Sequence, residues 1–587
     1  MKEGKPVDRA VKVLEFGDDE KTEYAILSHR WMKEEAEVDY REMVKLAKMT
    51  MKEKEEIRQR DGYRKIVQSC EQARANGYEW LWVDTCCIDK RSSAELSESI
   101  NSMYRWYEKA KMCYAYLHDV PGSSFPTATD AERYPKFNGW PEWFSRGWTL
   151  QELIAPSEVK FFNKDWQSIG KKMTLAPTLQ NITGIPEHVL THGLSGNRPC
   201  VAQIMSWAAN RTTARVEDRA YSLMGLLDVN MPMLYGEGKK AFHRLQLEII
   251  RASNDQSVFA WGWQREDEHP GSILADDPSC FEDCGEMELM SHDEFIQYVK
   301  TDVPKEGLDS VEDRLGSFPV TNRGIQIWLF LRPYSSSRTL FEAWLPCRRG
   351  RLDPPVDIDL TLWESNYYRD PMSCTGPPPE APLQLRQVYL RYQDPPHRNT
   401  TFEIDDSALT VDGFTSCAVP KKFSGDTLTL TSTDPLCVKV YSDSLTNHRF
   451  VVGLGQCFGT HWIHVLSDDS ELIPGLSWLD YTLQKYMDML VRAPVHLQHM
   501  NKACSGAERY GQLCIMQTRQ TTRILQVSSV MWKSSRMCGV KLEVFHNSDF
   551  DDVSGEWTAF DVDVGSVFAR LIGTDIIIYL GNRRSQL

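Results

Sequence analysis

Three short apolar runs near the N-terminus each break off into a polar cluster. Tyr24-Ala25-Ile26-Leu27 runs into Ser28-His29-Arg30-Trp31, Trp80-Leu81-Trp82-Val83 into Asp84-Thr85-Cys86-Cys87-Ile88-Asp89-Lys90, and the stretch from Met112 to Leu117 into His118-Asp119. Short apolar runs bounded by polar residues read as buried strands. Between them lie helical periods. Gly62 to Asn76 places Ile66, Cys70 and Ala73 on one face, with Gly77 at the C-cap, and Ser97 to Lys109 aligns Ile100, Met103, Tyr104 and Tyr107. A fourth run, Val159-Lys160-Phe161-Phe162, follows the stretch WFSRGWTLQELIAP, whose helix Pro156 stops. Alternating strand and helix is the order of a doubly wound, mostly parallel α/β sheet. Ligands of such sheets sit outside the carboxyl ends of the strands. The pattern therefore predicts that the three polar clusters and the helix bearing Glu152 meet at one rim.

Composition bounds the partners. A chain of 587 residues exceeds one ordinary domain, and its formal charge of -15 argues against nucleic acid or an anionic membrane as main partner. The 15 cysteines are scattered and odd in number, which reads as reduced thiols and a cytoplasmic location. The opening MKEGKPVDRAVKVLEF has no apolar leader, and no stretch approaches the ~20 apolar residues that span a bilayer. The first domain is expected over 1–262, with a helical extension from about 199 in which Ile204 and Trp207, Tyr221 and Met224, and Phe242 and Leu245 share faces. Gly236 and Gly238 precede a helix and form either a weak phosphate cradle or a plain helix entry. Residues 263–317 read as an acidic irregular linker. Residues 318–587 read as a β-rich domain of unknown role, interrupted by a Pro-rich break at 376–382 and one helix at about 476–491.

In the helix of WFSRGWTLQELIAP, Leu150, Leu153 and Ile154 form one apolar face at 100° per residue. Trp148 and Glu152 stack four apart on the opposite face, as the wall of a cleft or as a half-buried Trp whose Glu pairs with Arg146 or a lysine. Cys86 and Cys87 are adjacent, with no matching Cys/His pair at zinc spacing, so no metal site is expected. Cys87 with His29 or His118 is a conceivable nucleophile and base at the same rim. No Walker-type loop is present, and Ser28 does not sit in a nucleophile elbow.

Several motifs together resemble one family. YAILSHRW, WLWVDTCCIDK, SMYRWY, CYAYLHDV, WFSRGWTLQELIAP and VEDRAYSLMGLL with MLYGEG are similar to the heterokaryon-incompatibility (HET) domain of filamentous fungi, over about residues 1–262. That family is associated with non-self recognition and regulated cell death, and is distantly similar to Toll/interleukin-1 receptor (TIR) domains. Trp148-Thr149-Leu150-Gln151-Glu152-Leu153 resembles the TIR signature W-C-x-x-E-L, with Thr149 where TIR domains often have Cys. The resemblance implies a TIR-like sheet with extra helices. It also implies Glu152 as the catalytic residue of an enzyme that splits NAD between nicotinamide and ribose, with NAD as substrate and no cofactor.

Such a reaction leaves an oxocarbenium-like ribose, which one carboxylate can stabilise by ~3–4 kcal/mol. On this reading Asp84 positions water, Trp31 or Trp148 stacks on a ring, Arg30 meets the pyrophosphate, and Ser28, His29, Cys87 and His118 line the pocket. Two alternatives stand beside it: a signalling scaffold without turnover, acting by assembly, and a nucleotide-processing enzyme with another substrate or a cyclised product. Self-association on activation is expected, because related TIR enzymes complete their pockets between subunits.

Overall fold

The computed structural model describes residues 22–262 apart from 33, 195 and 197, then 271–303, 312–334, 340–363, 365–369 and 381–393, and, between 400 and 580, chiefly the strands. Residues 22–262 are built on a five-stranded sheet: β1 (Tyr24–His29), β2 (Trp80–Trp82), β3 (Met112–Tyr116), β4 (Val159–Phe162) and β5 (Ser168–Lys171). The order is β2-β1-β3-β4-β5. The first four strands are parallel and β5 is antiparallel to β4. Helices α1 (Tyr40–Lys45), α2 (Met51–Arg58) and α3 (Asp61–Ala75) join β1 to β2, and α4 (Ser93–Lys109) joins β2 to β3. Gly77, with φ +85°, lies just past α3, where a left-handed residue without a Cβ lets a helix end. The expected α/β class with a mostly parallel sheet is therefore present.

Strand alternation explains why β1 is buried along its whole length. Ala25 and Leu27 join Val83, Tyr114 and Phe162 in a core with Val38, Met43, Ile57 and Ile66 from the α1–α3 side. Tyr24 and Ile26 join Trp82, Cys113, Ala115 and Phe161 in a second core with Ile100, Met103, Tyr107, Leu150 and Leu153. Successive side chains point to opposite faces, so a sheet covered on both sides needs continuous apolar runs. Each fully buried aliphatic side chain contributes about 1.5–3 kcal/mol.

The stretch expected to form one helix before Pro156 divides into a 3-10 turn, Glu142–Ser145, and α5 (Thr149–Ile154). All six residues of α5 are buried, so it has no solvent face opposite the apolar stripe. Lys172, itself buried, donates to Leu153 O (3.2 Å) and to the carbonyl of Pro156, closing the carboxyl end of α5. Helices α6 (Lys172–Thr183) and α7 (Glu187–His192) come first, and the extension expected from about 199 follows as α8 (Val201–Ser206), α9 (Asp218–Tyr221) and α10 (Lys240–Ala252). Its expected faces are buried: Ile204 and Trp207, Tyr221 and Met224, Phe242 and Leu245. Gly225 touches α4, and a Cβ there would lie 2.1 Å from Tyr104 Cβ.

The core does not stop at 262. The stretch read as a linker buries Ile273, Leu274, Ala275, Phe281 and Cys284. Six further strands follow: β6 (Glu288–Leu289), β7 (Ile325–Pro333), β8 (Leu340–Arg348), β9 (Pro355–Trp363), β10 (Asn366–Arg369) and β11 (Gln384–Leu390). Their order is β6-β8-β7-β11-β10-β9, and an additional β8–β9 pairing closes five of them into a ring, which leaves those strands no free edge. Ile325, Leu329, Leu345, Leu360 and Leu390 from these strands belong to the same core as α5. One compact unit thus runs to Gln393 apart from 334–340 and 374–379, and a second holds the remainder. In the second, a five-stranded and a four-stranded sheet share one core around Phe402, Val438, Phe450 and Leu525. The expected β-rich character of the C-terminal region is present. The helix expected at 476–491 lies outside the described residues, as does most of the Pro-rich break. Among the described residues no helix is long and apolar enough to cross a membrane.

Candidate functional site

In the order β2-β1-β3 the chain direction of the connections reverses at β1, which is where such sheets bind ligands. Ser28 and His29 end β1, Asp84 and Thr85 follow β2, and His118 and Asp119 follow β3. Two layers of side chains meet there.

The inner layer is centred on Glu152. Its Oε2 accepts a hydrogen bond of 2.5 Å from Ser28 Oγ, and Ser28 Oγ accepts one of 2.9 Å from Trp143 Nε1. The indole thereby orients the serine hydroxyl toward the carboxyl. Cys113 Sγ approaches the Glu152 carbonyl at 3.9 Å. Glu152 is 4% exposed, and Ser28 and Trp143 are fully buried. Burial, reinforced by the negative charge of Asp84, pushes the Glu152 carboxyl up to about 8; the Ser28 hydrogen bond, Arg211 and Arg146 oppose this. The carboxyl is therefore mostly protonated at neutral pH, as a buried group in low dielectric should be.

The outer layer reaches solvent at Trp31. Trp31 is 45% exposed, donates its indole N–H to Asp84 Oδ2 (2.5 Å) and carries Lys90 Nζ over its ring at 3.5 Å. Burial also raises the Asp84 carboxyl, while Lys90 and the Trp31 N–H pull it down. His29 Nδ1 lies 3.7 Å from Asp84 and Nε2 lies 4.0 Å from Glu37, both too far for a hydrogen bond. Burial first, then the cations Lys65 and Lys90, hold His29 far below its ordinary range, so it is neutral. Glu37 is committed elsewhere, accepting from Lys65 Nζ (2.7 Å) and Met32 N (2.8 Å). Across the rim Arg30 pairs with Glu142 at 3.1 Å, and His118 sits 3.8 Å from the same carboxylate.

Buried polar atoms without partners concentrate at this rim: both His29 nitrogens, Asp84 Oδ1, Thr85 Oγ1, His118 Nδ1 and Asp119 Oδ1. Such atoms cost about 1–3 kcal/mol each, so a cluster of them marks a place built for something other than stability. The structure thus brings together Ser28, His29, Trp31, Asp84 and Glu152, with Arg30 and His118 adjacent. Cys87 is exposed and accepts from Val83 N, while His29 and His118 face acids, so neither imidazole is set as a base for that thiol. Trp148 is half-buried against the core, near Asp218, which accepts from Tyr235 OH at 3.0 Å.

Trp143, Glu37, Lys65 and Arg211 take part and were not singled out from sequence. Trp143 lies within the motif itself, so a reading that weighed each of its aromatics would have found it. Arg211 reaches α5 from 62 residues downstream, through bonds to Arg146 O (2.9 Å) and Thr149 Oγ1 (3.1 Å), and has no local signal. The Gly236 and Gly238 amides, at φ +105° and +61°, both donate to Glu217 Oε1 at 2.8 and 3.1 Å. The weak cradle thus holds a carboxylate of the chain itself.

Residues 24–152 match the family model described as Heterokaryon incompatibility protein (HET). The chain is also similar to the vegetative incompatibility protein HET-E-1 of Podospora anserina, with 44% identity over 231 residues, 38% of this chain. The matched stretch covers 16% of the length of that relative.

Proposed function

We propose that this unit, whose residues 24–152 match the heterokaryon-incompatibility family model, is TIR-like in its sheet and site and is an NAD-cleaving effector of fungal non-self recognition and regulated cell death. The observation that carries this reading is Glu152, a buried carboxyl at the carboxyl edge of a parallel sheet, held by Ser28 and raised to about 8. Cleavage breaks the bond between ribose C1′ and the nicotinamide nitrogen, and the electron pair leaves with nicotinamide. Water then adds to C1′ and releases a proton, giving ADP-ribose. The nicotinamide ring of NAD is cationic. Docked beside Glu152, it favours the ionised carboxylate, which then faces the positive charge developing on ribose. Asp84, at the mouth, is the candidate for positioning water, and Trp31 offers an exposed indole for stacking.

A second reading is supported by one observation. Glu152 is 4% exposed, sealed under Trp143 and Ser28. That favours either a chain that opens on assembly or a scaffold that assembles without turnover. Purified full chain is incubated with NAD, with and without conditions that promote assembly, and free nicotinamide is measured. The expected result is release by wild type and loss of at least 100-fold in Glu152→Ala and Glu152→Gln. Equal NAD consumption by wild type and both variants would reject the enzymatic reading. Release under no condition would leave the scaffold.

A further inference from the structure

The cations around Glu152 are not equivalent. Arg30 is paired with Glu142, a carboxylate it shares with Lys136 Nζ at 2.9 Å. Arg146 is the exception. Its backbone is clamped: the carbonyl accepts from Arg211 Nη1 (2.9 Å) and Thr149 Oγ1 (2.9 Å), and the flanking residues bond the neighbouring segment through Gly147 N to Thr212 O (2.9 Å) and Thr212 N to Ser145 O (2.6 Å). Yet among the described residues its half-buried guanidinium has no hydrogen bond or ion pair. Arg211 behind it is 3% exposed, and its Nη2 is buried without a partner. A guanidinium held on rigid backbone, with Arg30 nearby and with Glu142, Asp218 and Glu152 near enough to act on it but none of them bonded to it, has its fork of donors free to receive an anion from outside.

We infer that Arg146, backed by the charge of Arg211, receives the phosphates of the ligand at the Glu152 site, a pyrophosphate-bearing dinucleotide. This rests on the nucleotide reading above and moves the phosphate contact from Arg30, the sequence-based candidate, to Arg146. The fork of Arg146 suits two phosphate oxygens at once. Arg211 is a positioning residue, since it holds the Arg146 carbonyl and does not reach solvent. Burial first, then Arg30, push the Arg146 guanidinium below its ordinary range against the pull of Glu142, Asp218 and Glu152, and a bound anion adds to that pull.

The test is calorimetric titration of inorganic pyrophosphate into the purified full chain at neutral pH and low salt. Arg146→Ala is expected to weaken binding at least 10-fold, Arg146→Lys to recover only part, and Arg133→Ala, an exposed cation elsewhere, to leave it unchanged. If Arg146→Ala melts early, Arg146→Gln carries the same comparison with the charge removed and the side chain kept as far as Cδ. Equal affinity in wild type and the Arg146 variants, or no binding by folded wild type at millimolar pyrophosphate, overturns the inference. Binding is read without turnover. A chain that binds pyrophosphate through Arg146 but releases no nicotinamide would keep this site and lose only the cleavage reaction.

Discussion

At the scale of the residue, Glu152 is decided by competition. Ser28 donates to it and favours the charged form, but burial and the nearby Asp84 outweigh that bond. Its folded-state value, about 8, exceeds the ordinary 4.5. The folded protein therefore holds this proton more tightly than the unfolded chain, and the associated stability is complete below about 4.5 and lost as pH rises toward 8. The charged and titratable groups that face it are Asp84 after β2, Cys113 on β3, Tyr107 on α4, and Arg146 and Arg211. Glu152→Gln imitates the protonated form at every pH. Its melting temperature should gain on wild type as pH goes from 5.5 to 8.5, and an offset independent of pH would show that the carboxyl is not raised. None of this was readable at the residue itself. Spacing put Glu152 beside Trp148, whereas its partner Ser28 lies 124 positions away.

At the scale of the element, α5 depends on its surroundings more than on its own sequence. Six residues cannot hold a helix alone, since nucleation costs more than so few bonds return. Lys172 closes one end, and Arg211 fixes Thr149 at the other. The apolar face that periodicity predicted, Leu150 with Leu153 and Ile154, is buried as expected. The partners of its polar residues, Ser28 on β1 for Glu152 and Arg211 for Thr149, are ones that no local pattern announces. The packing of the helical extension on α4 depends on Gly225, where even a methyl group meets Tyr104. Gly225→Ala should therefore destabilise by about 1–3 kcal/mol, read as a lower urea midpoint with unchanged slope. No change in midpoint would mean that the extension does not pack there.

At the scale of the molecule, the core joining the parallel sheet to the closed ring of strands predicts how the chain can be cut. Arg369, on β10, donates to Phe259 O (2.9 Å) and Trp261 O (2.8 Å) from across the boundary at 262. A fragment ending at 262 exposes Phe259 and Trp261, so it should bind an apolar dye and melt without cooperativity, while one ending at 393 should melt cooperatively. Identical melts would show that the ring is dispensable. The sequence alone determined the four parallel strands, their order along the chain and the rim to which their polar ends belong, because apolar period and turn chemistry are local; β5 and β8 to β10 carried no signal that was read. Tertiary structure decided three things. Glu152 is sealed rather than open, Arg30 is paired while Arg146 is left unpaired, and the core runs on to Leu390. Each depends on contacts between residues tens to hundreds of positions apart, and burial and charge pairing are set by what surrounds a group.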